Sequence, residues 1–459
     1  MDQSFNLMKK KILLLSDDLR MSSGIATMSK EIVIGTVHKY DWVQLGAAIK
    51  HPEFGKVVDI NDDIRKRTGV KNANLKIIPY NGYGDIGILR KLIAEEKPDA
   101  ILHFTDPHYW QWLYDNEHEI RQHVPLLFYH IWDDLPDPLY NRNYYESCDW
   151  LGCISKQTYG IVHRVGKKKN GSTWKPLQDW QIKYVPHGIN PETFKPLNKV
   201  SDEIKSLVHG NKEYDFVLFY NNRNIRRKQP SDVIYSFKLF CDQLPKEKAE
   251  KCLLLMHTAA VDENGTDLPA VIEALCPYDV KFTGLKLEQD KLNEIYNTVD
   301  CTINIANNEG FGLTTAESLM AGTPIIANVT GGLQDQMGFD LSEDDYITIG
   351  SLHHKGKSKH LVQEGEWVEA IWPAAINLNG SVPTPYIFDD RVNDDEVASA
   401  IMRMYKYGKK KRKAKGLKGR EFMVNTLSNK IMCDKMIEGI ETTLENWEPK
   451  KRFDLYKIV

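Results

Sequence analysis

Residues 307–324 read Asn-Asn-Glu-Gly-Phe-Gly-Leu-Thr-Thr-Ala-Glu-Ser-Leu-Met-Ala-Gly-Thr-Pro, and the apolar run 325–327 follows them. The pattern predicts a glycine-bearing turn, a short helix that ends at Gly322 and Pro324, and then a buried strand. Glycine lets a backbone approach a ligand closely, and a helix start presents free amide hydrogens at the positive end of its dipole. The turn is therefore a predicted phosphate seat, formed by Gly310, Phe311, Gly312, Leu313 and Thr314.

Two glutamates flank this phosphate seat, Glu309 in the turn and Glu317 in the helix, with seven residues between them. One carboxylate can reach forward of the seat while the other lies beside it, so the pair is suited to the hydroxyls of a sugar and of a ribose. In the alternative interpretation, Thr314 and Glu317 form a capping box that only satisfies backbone donors at the helix start. This stretch alone leaves both interpretations open.

A basic loop follows the predicted strand 216–220 and carries Arg223 and Lys228. An arginine fork and a lysine point charge at a strand end are suited to a diphosphate that leaves with growing negative charge. A basic loop taken by itself is more often only solvated. The loop lies upstream of the two glutamates, and this order favours diphosphate binding over a solvated loop.

Together the two segments resemble the Glu-x7-Glu and Arg-x4-Lys signatures of the family-4 retaining glycosyltransferases. The resemblance implies an α/β fold of the GT-B type, in which two Rossmann-like domains face each other across a cleft. It places Glu309 at the transferred sugar and Glu317 at the ribose of a nucleoside diphosphate sugar. It also implies that Arg223 and Lys228 hold the diphosphate.

The resemblance extends to residues at other predicted strand ends, where ligands of open α/β sheets collect. His130, near the end of the predicted strand 125–132, corresponds to a family histidine that touches the donor sugar. Gly24 lies in a loop that the family places near the donor phosphates. Gly284 belongs to a backbone segment that would face the nucleotide base.

Three residues are candidates for contact with the acceptor: Asp106, Asp133 and Trp372. The two aspartates follow predicted strands and are expected on one wall of the cleft. Asp133 is equally consistent with a helix cap or a salt bridge. Trp372 belongs to a segment of about 341–390 that we expect to be an insertion, which either binds an acceptor or stiffens a subunit contact.

The chain has 459 residues, which suits two domains of roughly 200 residues each. Residues 186–190 resemble the end of the first domain in the family, so we expect an N-terminal acceptor domain over 1–195. A donor domain would cover 196–427. The last helix, from about 428, would cross back onto the first domain.

The net charge is −3 and the seven cysteines show no paired spacing, which favours reduced thiols in the cytoplasm. We see no signal peptide and no apolar run of membrane-spanning length. The loop after the first predicted strand lacks the Gly-x-Gly-x-x-Gly pattern of dehydrogenases, and only Gly24 is found there. Because Asp-x-Asp and Cys-x-x-Cys are also absent, we expect neither a metal nor a cofactor beyond the donor substrate.

The acceptor is the most open part of the prediction. The basic tract 409–420 and the loop at Lys167 are suited to DNA phosphates, to an anionic membrane surface, or only to water. Residues 15–21 and 383–391 are similar to glycosyltransferases encoded by large tailed phages, some of which modify hydroxymethylated pyrimidines in their own DNA. We therefore expect a hydroxymethylated DNA base as acceptor, with a surface glycan or a lipid as the alternative.

Other classes of protein are also compatible with a cleft of this kind. A non-catalytic binder of sugars or nucleotides would keep the fold, but would need no cations to stabilise a leaving group. A GT-B epimerase or phosphorylase would keep the cleft and change the second substrate. The sequence does not indicate an oligomeric state.

Overall fold

The structure, a computed structural model, describes residues 9–50, 52–167, 176–284, 286–349 and 362–451. The predicted lysine-rich loop beyond Lys167 and part of the expected insertion lie outside the described residues. Within these ranges, no helix is both long enough and apolar enough to cross a membrane.

The first half of the chain forms a sheet in the order β3-β4-β2-β1-β5-β6-β7-β8. All neighbouring strands are parallel except β3, which is antiparallel to β4. The strands are β1 (Lys10–Asp17), β2 (Tyr40–Ile49), β3 (Val58–Asp59), β4 (Leu75–Asn81), β5 (Ala100–Phe104), β6 (Leu126–His130), β7 (Trp150–Cys153) and β8 (Ile182–Tyr184). The helices are α1 (Gly24–Thr36), α2 (Asn61–Thr68), α3 (Ile86–Glu96), α4 (Gln111–Asp115), α5 (Glu117–Ile120), α6 (Arg142–Glu146) and α7 (Lys156–Gly166).

The second half forms a parallel sheet in the order β11-β10-β9-β12-β13-β14 and a separate antiparallel hairpin, β15-β16. Its strands are β9 (Phe216–Asn221), β10 (Cys252–His257), β11 (Val280–Phe282), β12 (Cys301–Asn304), β13 (Ile325–Asn328), β14 (Val368–Ile371), β15 (Ala375–Asn379) and β16 (Ile387–Arg391). Its helices are α8 (Asp202–His209), α9 (Pro230–Asp242), α10 (Lys246–Ala249), α11 (Leu268–Leu275), α12 (Gln289–Tyr296), α13 (Leu313–Met320), α14 (Asp345–Ile349), α15 (Asp394–Lys406), α16 (Gly408–Thr426) and α17 (Asn429–Asn446).

Both parallel sheets are buried on two faces, which explains why their strands read as continuous apolar runs. In β1, Ile12 and Leu14 join one apolar cluster while Leu13 and Leu15 join another on the opposite face. The cluster of Ile12 also contains Phe219 of β9, so it extends through both halves of the chain. The predicted α/β architecture follows from this alternation.

The C-terminal helix α17 packs on the first half. Its Cys433 lies so close to Gly35 of α1 that a Cβ atom at Gly35 would be 2.3 Å from the sulfur. Tyr40 donates a hydrogen bond of 2.7 Å to Glu441, and Asn429 donates one of 3.1 Å to Glu31. The last helix of the described chain is thus packed against elements of the first sheet and its helix α1.

Part of the expected insertion over 341–390 belongs to the second sheet. Residues 368–371 form β14, which pairs with β13 and completes the edge of the second sheet. The apolar side chains of Val368 and Ile371 are buried there, which explains why the segment belongs to the core. Trp372 is half-buried with its ring 6.1 Å from that of Phe339, so it is not an exposed stacking platform.

The basic tract 409–420 forms most of α16, and part of its charge is structural. Arg412 is buried and donates hydrogen bonds of 2.6 and 3.0 Å to Asp300, which directly precedes β12. Arg420 donates to the carbonyl oxygens of Phe194 and Pro191. Exposed lysines remain on this helix, among them Lys409, Lys410 and Lys413.

We predict that Arg412→Ala lowers the free energy of unfolding by about 3 kcal/mol, because it leaves the Asp300 carboxylate without its buried partner. The exposed neighbour Lys413 provides the control, and Lys413→Ala should change the free energy by less than about 0.5 kcal/mol. Urea unfolding followed by circular dichroism measures both. If Arg412→Ala lowered the free energy of unfolding as little as Lys413→Ala does, the tract would be only a solvated surface.

Candidate active site

The turn before α13 is held by a second pair of glycines. Gly331 and Gly332 follow β13 and pack directly against the turn: a Cβ atom at Gly331 would lie 2.1 Å from the carbonyl oxygen of Glu309. The amide of Gly332 donates to that same oxygen over 2.9 Å. Gly312 has φ of 85°, a left-handed conformation that favours glycine. The backbone of the turn is therefore fixed from both sides.

Gln336 completes this support, and the sequence analysis did not single it out. Its amide nitrogen donates to the carbonyl oxygens of Phe311 and Gly312 over 2.6 and 3.0 Å. These bonds satisfy the carbonyls of the turn within the protein. The only sequence signal was the pair Gly331-Gly332, whose packing partner cannot be identified without the fold.

The helix start at Gly312 carries no side-chain cap. Glu317 accepts a hydrogen bond from Tyr296 instead, so the capping-box interpretation is wrong. The Thr314 hydroxyl is buried and has no hydrogen-bond partner among the described residues. An uncapped helix start of this kind suits an anion.

Glu309 forms a buried ion pair with Lys228, from the loop that follows β9. Asn304, at the end of β12, donates a second hydrogen bond of 3.1 Å to the same carboxylate oxygen. Burial by itself would raise the pKa of Glu309, but the charges of Lys228 and Arg227 hold that pKa below its usual value. Burial lowers the pKa of Lys228, and Glu309 opposes this change. The glutamate is thus held as a carboxylate.

Arg223, the other cation of the Arg-x4-Lys pattern, does not contact the turn. Its side chain is 65% exposed and its Nε lies 3.5 Å from the carboxylate of Asp262. Arg227 makes the contact instead and donates a hydrogen bond of 2.7 Å to the carbonyl oxygen of Asn308. The structure therefore brings Lys228 to the predicted seat and leaves Arg223 at the surface.

Glu317 lies in a polar chain with no cation. Its carboxylate accepts from the Tyr296 hydroxyl over 2.9 Å, and that hydroxyl accepts from Asn221 over 3.0 Å. Burial raises the pKa of Glu317 to about 7, and the hydrogen bond from Tyr296 only partly opposes the rise. The two glutamates of the motif therefore have opposite pKa shifts.

The first half reaches the same turn. A Cβ atom at Gly24 would lie 3.3 Å from Leu313, and one at Gly310 would lie 3.3 Å from the carbonyl oxygen of Ile131. His187, which the sequence analysis did not select, places its ring 5.4 Å from that of Phe311. Both halves therefore meet at the start of α13.

His130 ends β6, directly before the loop that contacts Gly310. Its Nε2 lies 2.8 Å from the Tyr145 hydroxyl, and its buried Nδ1 has no partner among the described residues. Burial lowers the pKa of His130 to about 3. The imidazole is therefore neutral near pH 7, and its Nδ1 is the atom that remains for a ligand.

Asp133 faces the turn from the first half, with Oδ2 4.0 Å from a Cβ atom placed at Gly310. This oxygen is buried and has no hydrogen-bond partner among the described residues. Burial raises the pKa of Asp133 to about 6, while Arg227 opposes the rise. Asp133 is thus beside the seat, and the helix-cap and salt-bridge interpretations find no hydrogen bond to support them.

The remaining predicted residues are not brought to the turn by any contact. Asp106 caps a short 3-10 helix and binds both the amide and the Nδ1 of His108 over 2.9 and 2.7 Å. Gly284 is exposed beyond β11, the outer strand of the second sheet. Among the described residues, no group of three or more His, Cys, Asp or Glu side chains is arranged to hold a metal ion.

Two α/β halves, each with a largely parallel sheet, meet at the start of α13, as expected for the GT-B architecture that the sequence predicted. Residues 201–339 match the family described as glycosyl transferases group 1. This match covers the Lys228 loop, the turn and α13.

Among curated proteins, an uncharacterized glycosyltransferase of Methanocaldococcus jannaschii is 26% identical over 171 residues. The match covers 34% of this chain and 44% of that protein, so it spans less than half the length of the relative. The narrower resemblance to family-4 and phage-encoded glycosyltransferases stays a prediction.

Solved structures extend the likeness over nearly the whole chain. A glycosyltransferase from Rickettsia africae ESF-5 has a TM-score of 0.64 at 13% identity and covers 96% of this chain and 100% of its own. Sucrose-phosphate synthase from Thermosynechococcus elongatus has a TM-score of 0.65 at 14% identity and covers 93% of this chain and 97% of its own. Anabaena HepE in complex with UDP and glucose has a TM-score of 0.62 at 13% identity and covers 94% of this chain and 100% of its own. At these identities the likeness shows the fold, which is GT-B.

The opposite pKa shifts of the two glutamates generate a prediction about stability. Glu317 has a folded pKa of about 7, above the ordinary value of 4.5 expected in the unfolded chain, so its contribution to stability is lost as the pH rises between these values. Glu317→Gln should therefore gain about 2 to 3 kcal/mol relative to the wild type between pH 5 and pH 8. Urea unfolding at the two pH values measures the difference.

Glu309 supplies the matched control, because its folded pKa lies below the unfolded value. Its contribution is present above the unfolded pKa and is lost as the pH falls through the folded pKa. Glu309→Gln should therefore be destabilised most at pH 8 and least near pH 4. The same trend with pH in both variants would contradict the two environments described above.

Proposed function

We propose that the protein is a retaining glycosyltransferase that moves a sugar from a nucleoside diphosphate sugar to an acceptor hydroxyl. The buried Lys228–Glu309 pair beside the uncapped start of α13 carries this proposal. It places a cation and a carboxylate at a backbone site suited to phosphate. The family match over 201–339 includes all three features and supports the same activity.

In the proposed donor complex, the diphosphate lies at residues 310–314, with Lys228 and Arg223 as its cations. The structure leaves Arg223 on an exposed loop, from which its long side chain would have to turn toward the diphosphate. Glu317 would accept hydrogen bonds from the ribose hydroxyls. The sugar would lie between Glu309 and His130, while Gly24 and Gly284 would line the phosphate and base ends.

In the reaction that we propose, the bond between the anomeric carbon and the diphosphate breaks as the acceptor oxygen bonds to the same face of that carbon. The departing phosphate takes the acceptor proton, so no protein nucleophile is needed. Cationic side chains, rather than a metal or a cofactor, would stabilise the developing negative charge. The seven cysteines are all free and buried, which supports a reducing compartment such as the cytoplasm.

For the acceptor we propose a hydroxymethylated pyrimidine in DNA, with a surface glycan or a lipid as the alternative. Exposed lysines of α16 offer charge for phosphates. Arg412 ties the start of this helix to Asp300, at the amino end of β12, whereas the turn follows the carboxyl end of that strand. DNA that binds these lysines would therefore have to extend around the second sheet to reach Glu309.

The rival function is that of a nucleotide-sugar binder without catalysis. A binder gains nothing from a buried lysine that stabilises a leaving group, and burying that charge is costly. A panel of nucleoside diphosphate sugars, followed by hydrolysis and by thermal stabilisation, separates the two functions. Stabilisation without any hydrolysis or transfer, with every acceptor offered, would favour the binder.

We predict that Lys228→Ala and Arg223→Ala each lower turnover at least tenfold, because a charge-assisted contact to the developing phosphate charge is worth roughly 2 to 4 kcal/mol. Turnover is measured with a donor from the panel and its acceptor. Lys281→Ala, on β11, serves as a control that should keep normal turnover. Normal activity of both variants would reject this role for the pair.

A DNA acceptor predicts binding that weakens steeply with salt. Affinity for duplex DNA should fall at least tenfold between about 50 and 200 mM salt, because several counterions are released. Fluorescence anisotropy measures this for the wild type and for a variant with Lys409, Lys410 and Lys413 changed to Ala. Weak, salt-independent binding of both proteins would leave the glycan or lipid as the acceptor to pursue.

A further inference from the structure

Arg227 is the guanidinium that the structure places at the glutamate turn. It lies in the loop between β9 and α9, directly before Lys228. Its Nη1 donates to the carbonyl oxygen of Asn308 over 2.7 Å, and its own carbonyl accepts from the amide of Asn307 over 2.8 Å. Arg227 is therefore tied twice to the residues that immediately precede Glu309.

The charge of Arg227 acts on carboxyl groups from both halves of the chain. In the second half it helps to hold the pKa of Glu309 below its usual value. In the first half it opposes the rise that burial causes in the pKa of Asp133 and Asp134. The guanidinium is thus close enough to act on Glu309, Asp133 and Asp134.

The other arginines of the loop differ from Arg227. Arg223 is paired with Asp262 on the surface. Arg226 is exposed, as Arg227 is, but it is tied to the second half through its backbone amide, which donates to the carbonyl oxygen of Asn264 over 3.3 Å. Of the three side chains, Arg227 is the one with a hydrogen bond at the turn.

The balance of charges at the turn indicates what Arg227 can do. The charge of Lys228 is already compensated by Glu309, and Arg223 would have to turn in from the surface, so Arg227 adds a positive charge that is already at the turn when a diphosphate arrives. A guanidinium has five N–H donors in a planar fork. One nitrogen of Arg227 is used at Asn308, and within the described part of the chain no hydrogen bond of Nε or Nη2 is seen. These donors match the oxygens of a phosphate.

We propose that Arg227 binds the diphosphate of the donor through Nε and Nη2 while Nη1 keeps the turn in place. This inference rests on the proposed function and adds a residue outside the Arg-x4-Lys pattern to the donor site. Arg227 then positions the phosphates relative to Glu309, since one side chain contacts both the phosphates and Asn308, the residue directly before Glu309.

Inorganic pyrophosphate is the probe, because it tests the diphosphate contact without knowledge of the base or the sugar. Binding is measured by calorimetry for the wild type, Arg227→Ala, Arg227→Lys and the matched control Arg226→Ala. We expect Arg227→Ala to weaken binding at least tenfold and Arg227→Lys to weaken it less, while Arg226→Ala stays within about twofold. Equal affinities of Arg226→Ala and Arg227→Ala would overturn the proposal.

A purely structural role of Arg227 is tested separately. Free methylguanidinium should restore part of the pyrophosphate binding of Arg227→Ala, because it replaces the missing fork. Lost binding without rescue, together with a lowered unfolding midpoint, would overturn the proposal in favour of a structural role. Failure of the wild type to transfer sugar from any donor would refute the proposed function, while the comparison of pyrophosphate affinities would stand.

Discussion

The buried ion pair between Lys228 and Glu309 is the interaction on which the site depends. Removing two charges from water is costly. The attraction between them offsets this desolvation cost only when both partners are fixed and further hydrogen bonds are made. Asn304 supplies such a bond. Because β9 and β12 are neighbours in the sheet, the loop after one strand and the turn after the other are held at the same edge. The pair thus uses sheet order to join two segments that are distant in sequence.

Close backbone packing gives the pair its rigid frame. Gly331 and Gly332 let the segment after β13 lie against the turn, where any side chain would collide with backbone atoms. Gln336 then takes up the carbonyls of Phe311 and Gly312. The carbonyl oxygens of the turn, which would repel an anion, are in this way bound within the protein.

The sequence located the local parts of the candidate site, and the structure departs from it where a side chain has a second partner within reach. Glu309, Lys228 and the helix start follow from spacing and from strand order. Arg223 matches the pattern equally well, but Asp262 lies within its reach, and such a competitor is visible only after the loop has folded. The strand β14 was missed because a short apolar segment among polar residues gives little sign of its distant partner β13.

The unequal surroundings of the two glutamates explain how one small site can hold two carboxyl groups beside an anion. Glu309 has Lys228 as a partner and stays ionised, whereas Glu317 has only a hydroxyl and its pKa is about 7. A second full negative charge next to a diphosphate would be unfavourable in a buried site. A carboxyl group that is partly protonated near neutral pH avoids this cost and still accepts hydrogen bonds. In the proposed donor complex, desolvation would therefore let Glu317 bind the ribose hydroxyls without the full charge of a salt-bridged carboxylate.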